Sequence, residues 1–270
     1  MTTVLDGNVH NLAVEGTFDD CQRIMKEVFA DLEFKDRLSL GSVNSINWAR
    51  LLAQAVYYFY AAFRVMDARG ADAVSFSVPS GNFGNLTAGV YAWLWGLAVR
   101  RFIAATNVND VVPQYLESGR FAPRPSDRTI SNAMDVGNPS NFERLEAVFA
   151  GDWRRMAAAI AGASVTDSRT RETMREIRSA WGVFVDPHTA VGCAAARDAL
   201  RAGPGADADV QMIVLSTAHP AKFADTVREA TGEEPELPER LARCLTLPKR
   251  ALRMRTAFPE LSAFLLDSFG

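Results

Sequence analysis

The chain predicts an α/β fold: an open, mostly parallel sheet with flanking helices. Three observations carry this. First, Val74, Phe76 and Val78 alternate with Ser75 and Ser77, a strand period, and Pro79 ends the run by removing a ladder donor. The chain then passes through Ser80-Gly81-Asn82-Phe83-Gly84-Asn85 into a helix expected over 86–99. Second, a strand follows at 102–105, so the order is strand, helix, strand, the unit of a parallel sheet with a right-handed crossover. Third, after more helical segments, 210–215 reads as another strand.

The remaining elements follow from local pattern. Residues 9–14 predict a short strand, and 19–32 a helix capped by Thr17 or Asp19. A long helix is expected over 46–66. Its Ala49, Leu52, Ala53, Val56, Phe59, Tyr60 and Phe63 follow helical spacing, and it is apolar nearly all round, which predicts burial. Helices are expected over 110–117, 141–149, 153–161, 168–181, 189–202, 220–230 and 238–245, then an amphipathic tail. The Gly203-Pro204-Gly205 run predicts a loop. The expected organisation is one α/β domain over 1–235 and a C-terminal helical tail over 236–270.

Composition narrows the function. At 270 residues, with 48% hydrophobic and 23% charged residues, the chain can bury a substantial core. A net charge of −3 argues against a nucleic-acid surface. The apolar run 51–63 is too short to span a bilayer. No basic stretch followed by an apolar run opens the sequence, so no signal peptide is expected. Cys21, Cys193 and Cys244 are odd in number and widely spaced, which suits free thiols in a reducing compartment; a cytoplasmic location is expected.

In open parallel sheets, ligands sit at the carboxyl ends of the strands. Here those ends carry Ser80-Gly81-Asn82, Thr106-Asn107 and Ser216-Thr217-Ala218-His219, all small and polar, which predicts a shared pocket. Gly81 and Gly84 permit close backbone approach, and the loop opens a helix, where free N–H groups and the dipole favour an anion. No lysine follows the glycines, so a Walker-type nucleotide loop is not expected. His10, His188 and His219 lack zinc-type spacing, and Ser80 lacks a nucleophile-elbow context. Asp186-Pro187-His188 reads first as a turn and helix cap, and His219 as a structural hydrogen-bonder.

The motifs in order resemble threonine synthase, a pyridoxal-phosphate enzyme of the tryptophan-synthase-β-like fold. They include Glu15-Gly16-Thr17-Phe18-Asp19-Asp20-Cys21, Val43-Asn44-Ser45-Ile46-Asn47-Trp48-Ala49-Arg50 and Val78-Pro79-Ser80-Gly81-Asn82-Phe83-Gly84-Asn85. Further on come Ala133-Met134-Asp135, Ser140-Asn141-Phe142-Glu143-Arg144, Asp186-Pro187-His188-Thr189-Ala190 and Ser216-Thr217-Ala218-His219-Pro220-Ala221-Lys222-Phe223. The family converts O-phosphohomoserine and water to threonine and phosphate. The resemblance implies that Gly81, Asn82, Phe83, Gly84 and Asn85 surround the phosphate of pyridoxal 5'-phosphate, and that Thr217, or its neighbour Ser216, lies by the pyridine nitrogen. It implies substrate contacts for Asn44, Ser45, Asn47 and Arg50, against the plainer reading that Asn44 and Ser45 cap the long helix.

One departure matters. In the family an N-terminal portion carrying the Schiff-base lysine precedes the motifs found here, and Met1 resembles an internal methionine. The chain is therefore expected to lack that lysine and to be inactive by itself, with no catalytic residue assigned. Phe34-Lys35-Asp36 imitates the lysine motif but stands among Asp31, Glu33 and Arg37 at the wrong place in the order, and reads as a solvated segment. Two rivals remain: a phospho-lyase acting on another O-phospho amino acid, and a non-catalytic module that pairs with a partner chain, or with itself, through uncovered apolar faces. No metal, nucleic acid or membrane is expected.

Overall fold

The computed structural model describes residues 2–43, 47–202 and 211–270. In chain order these form β1 (Leu12–Val14), α1 (Phe18–Ala30), α2 (Leu32–Arg37), α3 (Trp48–Arg69), β2 (Val74–Pro79), α4 (Gly84–Leu94) and β3 (Val99–Thr106). There follow α5 (Val111–Ser118), α6 (Phe142–Val148), α7 (Trp153–Ala159), β4 (Ile160–Ser164), α8 (Asp167–Trp181), α9 (Pro187–Ala202) and β5 (Gln211–Val214). The C-terminal part holds α10 (Ala224–Thr231), α11 (Glu239–Thr246), β6 (Leu252–Met254) and α12 (Phe258–Phe269). Short 3-10 turns lie at Asn132–Met134 and Pro220–Phe223. Asn44, Ser45 and Ile46, the start of the predicted strand at Val210 and the loop expected at 203–205 lie outside the described residues.

Two compact units emerge, Met1–Ser42 with Leu237–Gly270, and Val43–Glu236. The tail therefore does not stand as its own segment beside a 1–235 domain. Its strand β6 pairs in parallel with β1, Leu12 opposite Leu252 and Val14 opposite Met254. Ile24 and Val28 of α1 bury against Met254 and Leu261 in a small core. Thr17 caps α1 in a reciprocal box with Asp20: the Thr17 N–H donates to Asp20 Oδ2 at 2.9 Å. Thr17's hydrogen bonds hold the Asp20 carboxyl below its ordinary range. Lys35 lies on α2 of this unit, a helix with no buried residue.

The second unit is a four-stranded parallel sheet in the order β4-β3-β2-β5. β2 is central and buried at every position. Its serines are buried as well as its apolar residues, and Ser77 Oγ donates to Gly192 O of α9 at 2.7 Å. A strand covered on both faces must satisfy its polar side chains internally. The helix predicted over 153–161 runs into β4 at Ile160 and Ala161. α7 stops at Ala159, and Ile160–Ser164 instead pairs with β3, Phe102 opposite Ile160. Local alanine-rich propensity loses here to strand pairing. A Cβ on Gly162 would stand 2.6 Å from Pro113 Cα, so the strand lies tight against α5.

α3 corrects another expectation. It is not buried all round. Leu51, Ala55, Tyr58 and Ala62 form its buried stripe, whereas Leu52, Val56, Tyr60 and Phe63, four of the residues picked out by spacing, are exposed. Among the described residues, no helix is long and apolar enough to cross a membrane.

Candidate functional site

Because all four strands of the sheet run parallel, the polar ends of β2, β3 and β5 lie along one edge. The Ser80–Asn85 loop leaves the central strand. Its shape is set by an internal brace. Asn85 Oδ1 accepts from Ser80 Oγ at 2.7 Å and from the Leu86 N–H at 3.0 Å, while Asn85 Nδ2 donates to Pro79 O at 2.8 Å. The buried Tyr58 hydroxyl donates to Asn85 O at 2.7 Å, tying the first turn of α4 to α3. Burial pushes the Tyr58 phenol well above its ordinary range, so it stays a donor.

Phe83, just before α4, has φ +61 although it is not glycine. A bulky residue in the left-handed region costs on the order of 1–3 kcal/mol and persists only where the surroundings impose it. The imposition is visible: the ring is buried, and Phe83 O accepts from Thr87 N–H and Thr87 Oγ1, the latter at 2.7 Å. A left-handed residue at a helix start turns successive N–H groups toward one point, the geometry that receives an anion. No carboxylate occurs between Ser80 and Asn85 to oppose it.

A second segment clamps the loop from outside. The Ser140 N–H and Oγ both reach Asn82 Oδ1, at 2.7 and 3.0 Å, and Asn141 Nδ2 donates to Asn82 O at 3.0 Å. Arg144 Nη1 in turn donates to Asn141 Oδ1 at 2.6 Å. Ser140 and Asn141 belong to the motifs of the resemblance, which implies no role for either. The asparagine-serine pair just before a helix was the available signal.

The end of β3 is a buried polar hub. Asn107 Nδ2 donates to Thr129 Oγ1 at 2.8 Å and Asp135 Oδ1 at 2.9 Å, and the Asn109 N–H donates to Asn107 Oδ1 at 3.0 Å. Burial raises the Asp135 carboxyl, with the Thr129 and Asn107 hydrogen bonds working against that shift. The hub holds the 129–135 loop at the strand ends.

At the end of β5, Ser216 and Thr217 are exposed. Val214 pairs with Ser77, so Thr217 stands three residues beyond that pair on its strand, as Ser80 does on β2. Ser216 Oγ lies 3.1 Å from Thr189 Oγ1. His219 caps the following 3-10 turn, its Nδ1 accepting from Ala221 N–H at 3.2 Å, in line with a structural reading. Lys222 is an exposed residue of that turn.

Asn47 and Arg50 stand at the start of α3. Asn47 Oδ1 accepts from Ala49 N–H at 3.0 Å and caps the helix. Arg50 Nη1 donates to Val43 O at 2.7 Å. Asn44 and Ser45, assigned to the same group, lie outside the described residues.

The parallel sheet with its flanking helices is in line with what comparison with known proteins finds. Residues 1–217 match the family described as "Pyridoxal-phosphate dependent enzyme". The chain belongs to that family. Residues 189–264 match a second one, "Threonine synthase, C-terminal". Among curated relatives, threonine synthase of Serratia marcescens is 44% identical over 264 residues, covering 97% of this chain and 59% of that protein. Threonine synthase of Escherichia coli K12 is 43% identical, with the same coverage of 97% and 59%. The crystal structure of the Escherichia coli threonine synthase superposes with a TM-score of 0.88 at 42% identity, covering 98% of this chain and 60% of that one. A pyridoxal-phosphate-bound threonine synthase from Brucella melitensis gives 0.81 at 36%, covering 97% and 60%. The chain thus spans about 60% of the length of the relatives it matches.

Proposed function

We propose that this chain carries the cofactor-phosphate cradle of a pyridoxal-phosphate-dependent threonine synthase, the enzyme that converts O-phosphohomoserine and water to threonine and phosphate. The carrying observation is the braced Ser80–Asn85 loop, with its left-handed Phe83 at the start of an eleven-residue helix. In this reading the backbone N–H groups of Gly81, Asn82, Phe83, Gly84 and Asn85 hold the cofactor phosphate. The side chains of Asn82 and Asn85 hold the loop instead, since their oxygens already accept from Ser140 and from Ser80 and Leu86. Thr217 is exposed at the adjacent strand end and offers a neutral hydroxyl to the ring nitrogen. When bound, the cofactor supplies an electron sink for carbanion chemistry. Asn47 and Arg50, with Asn44 and Ser45, contact substrate; a guanidinium suits a phosphate or carboxylate.

The chain's own lysines do not suit the chemistry. Lys35 lies on a helix with no buried residue, and Lys26, Lys222 and Lys249 are exposed. We therefore read the isolated chain as a binder without turnover, in a reducing, cytoplasmic compartment that suits its three free thiols. The exposed Val56, Tyr60 and Phe63 of α3 support an interaction surface there, for a partner chain or for a second copy of this one. The test is a titration of the purified chain with pyridoxal 5'-phosphate and with pyridoxal. Tighter binding of the phosphate form, competed by inorganic phosphate, is expected, with no phosphate release from O-phosphohomoserine. Equal affinities for the two ligands would remove the cradle, and turnover by the purified chain would overturn the inactive reading.

A further inference from the structure

Asp186 and His188 open α9 and are almost wholly buried, at 0% and 3% exposure. Asp186 Oδ1 accepts from the His188 N–H at 2.9 Å and the Thr189 N–H at 3.4 Å, capping the helix. The same oxygen lies 2.8 Å from His188 Nδ1, and Asp186 Oδ2 accepts from the Thr189 hydroxyl. Burial alone would raise the Asp186 carboxyl, but the hydrogen bonds from His188 and Thr189 outweigh it and hold it below the ordinary value of 3.8. A plain cap would leave the imidazole unused.

It is used on its other side. His188 Nε2 stands 3.1 Å from the Ala133 N–H, 55 residues away in the chain. A backbone N–H only donates, so Nε2 must accept, and the ring proton therefore sits on Nδ1, directed at Asp186. The pair is locked in one tautomer by partners at both ends, and the ring lies 4.9 Å from that of Phe223.

The segment it holds is the floor of the cradle loop. A Cβ on Gly81 would stand 2.6 Å from Met134 Cα and 2.9 Å from Ala133 O. Gly81 thus rests directly on the Ala133–Met134 backbone. The Asn107 hub anchors the flanks of this segment through Ser131 and Asp135, and His188 grips its middle.

We infer that His188, oriented by Asp186, is a positioning residue for the phosphate cradle: it fixes the Ala133–Met134 backbone on which Gly81 sits, and through it the aim of the loop's N–H groups. This rests on the cradle reading above, and the test separates the two. The full chain is compared as wild type, His188→Gln and His188→Asn. Gln places an oxygen where Nε2 stands and can still accept from Ala133. Asn reaches toward Asp186 only. Hydrogen exchange without ligand is read on peptides covering 80–86 and 131–137, with β2 and α8 peptides reporting on the global fold. Losing one buried hydrogen bond predicts about tenfold faster exchange in both loop peptides for His188→Asn and near wild-type exchange for His188→Gln. In titrations, His188→Asn is expected to bind pyridoxal 5'-phosphate about tenfold more weakly, while pyridoxal binding is unchanged and His188→Gln recovers most of the loss. Identical exchange in the two variants, or a change confined to α9, would overturn the inference. If the wild type shows no phosphate-dependent binding, the cradle reading falls, and the loop-exchange comparison still decides whether His188 positions Gly81.

Discussion

α3 and α4 are both strongly apolar helices, and the fold uses them in opposite ways. α4 buries Gly84, Leu86, Thr87, Ala88, Gly89, Val90 and Ala92, nearly its whole circumference. α3, twice as long at 22 residues against 11, buries Leu51, Ala55, Tyr58 and Ala62 and leaves Val56, Tyr60 and Phe63 at 57–67% exposure. The seam between them explains part of this. A Cβ on Gly89 would stand 2.6 Å from the Tyr58 ring, so a small residue on α4 admits a large one from α3. Tyr58 also packs on Phe76 at 4.8 Å and on Phe102 at 6.3 Å. The inner face of α3 thus completes the core and braces the loop through Asn85. Its outer face leaves Val56, Tyr60 and Phe63 more than half exposed. Apolar content therefore does not by itself locate a core.

The largest effect separates the two helices directly. Leu86→Ala should cost about 2–5 kcal/mol, because it opens a cavity in a closed core. Val56→Ala should stay within about 0.5 kcal/mol. Urea unfolding followed by circular dichroism measures both. A comparable loss at Val56 would mean that the outer face of α3 is covered after all.

Tyr58→Phe sharpens the seam. It keeps the ring and removes only the hydroxyl that donates to Asn85 O. A loss of about 1 kcal/mol is expected. The same variant should loosen the loop, with faster hydrogen exchange at 80–86. Stability lost without any change at 80–86 would show that the brace lies elsewhere.

The smallest effect is chemical. Burial pushes the Cys193 thiol of α9 up to about 11, whereas Cys244 is exposed. At pH 8 roughly one Cys193 in a thousand carries the reactive thiolate, so iodoacetamide should label Cys244 well before Cys193. Equal rates, read by peptide mass spectrometry, would show that α9 is less closed than α4.

Much of the second unit was legible in the residues. The alternating Val74–Val78 run, stopped by Pro79, marked the central strand, and the glycines after it marked a loop opening a helix. Those signals are local, so they survive any tertiary context. β4 was not legible, because Ile160–Ser164 follows an alanine-rich helix without a break and becomes a strand only through pairing with β3. The clamp on the loop was half legible. Ser140-Asn141 stands out as a pattern, but nothing in the sequence says that its partner is Asn82, 58 residues from Ser140.

The sequence by itself determined the alternation of strands and helices, the small-residue loop at the head of α4 and, through its ordered motifs, the family. Each rests on residues a few positions apart, whose periods and backbone freedoms are intrinsic. Only the tertiary structure decided which stripe of α3 lies inside, that the C-terminal tail pairs with β1, and that His188 reaches the backbone beneath Gly81. Those outcomes depend on which surfaces meet, and the chain brings them together from positions tens to hundreds of residues apart.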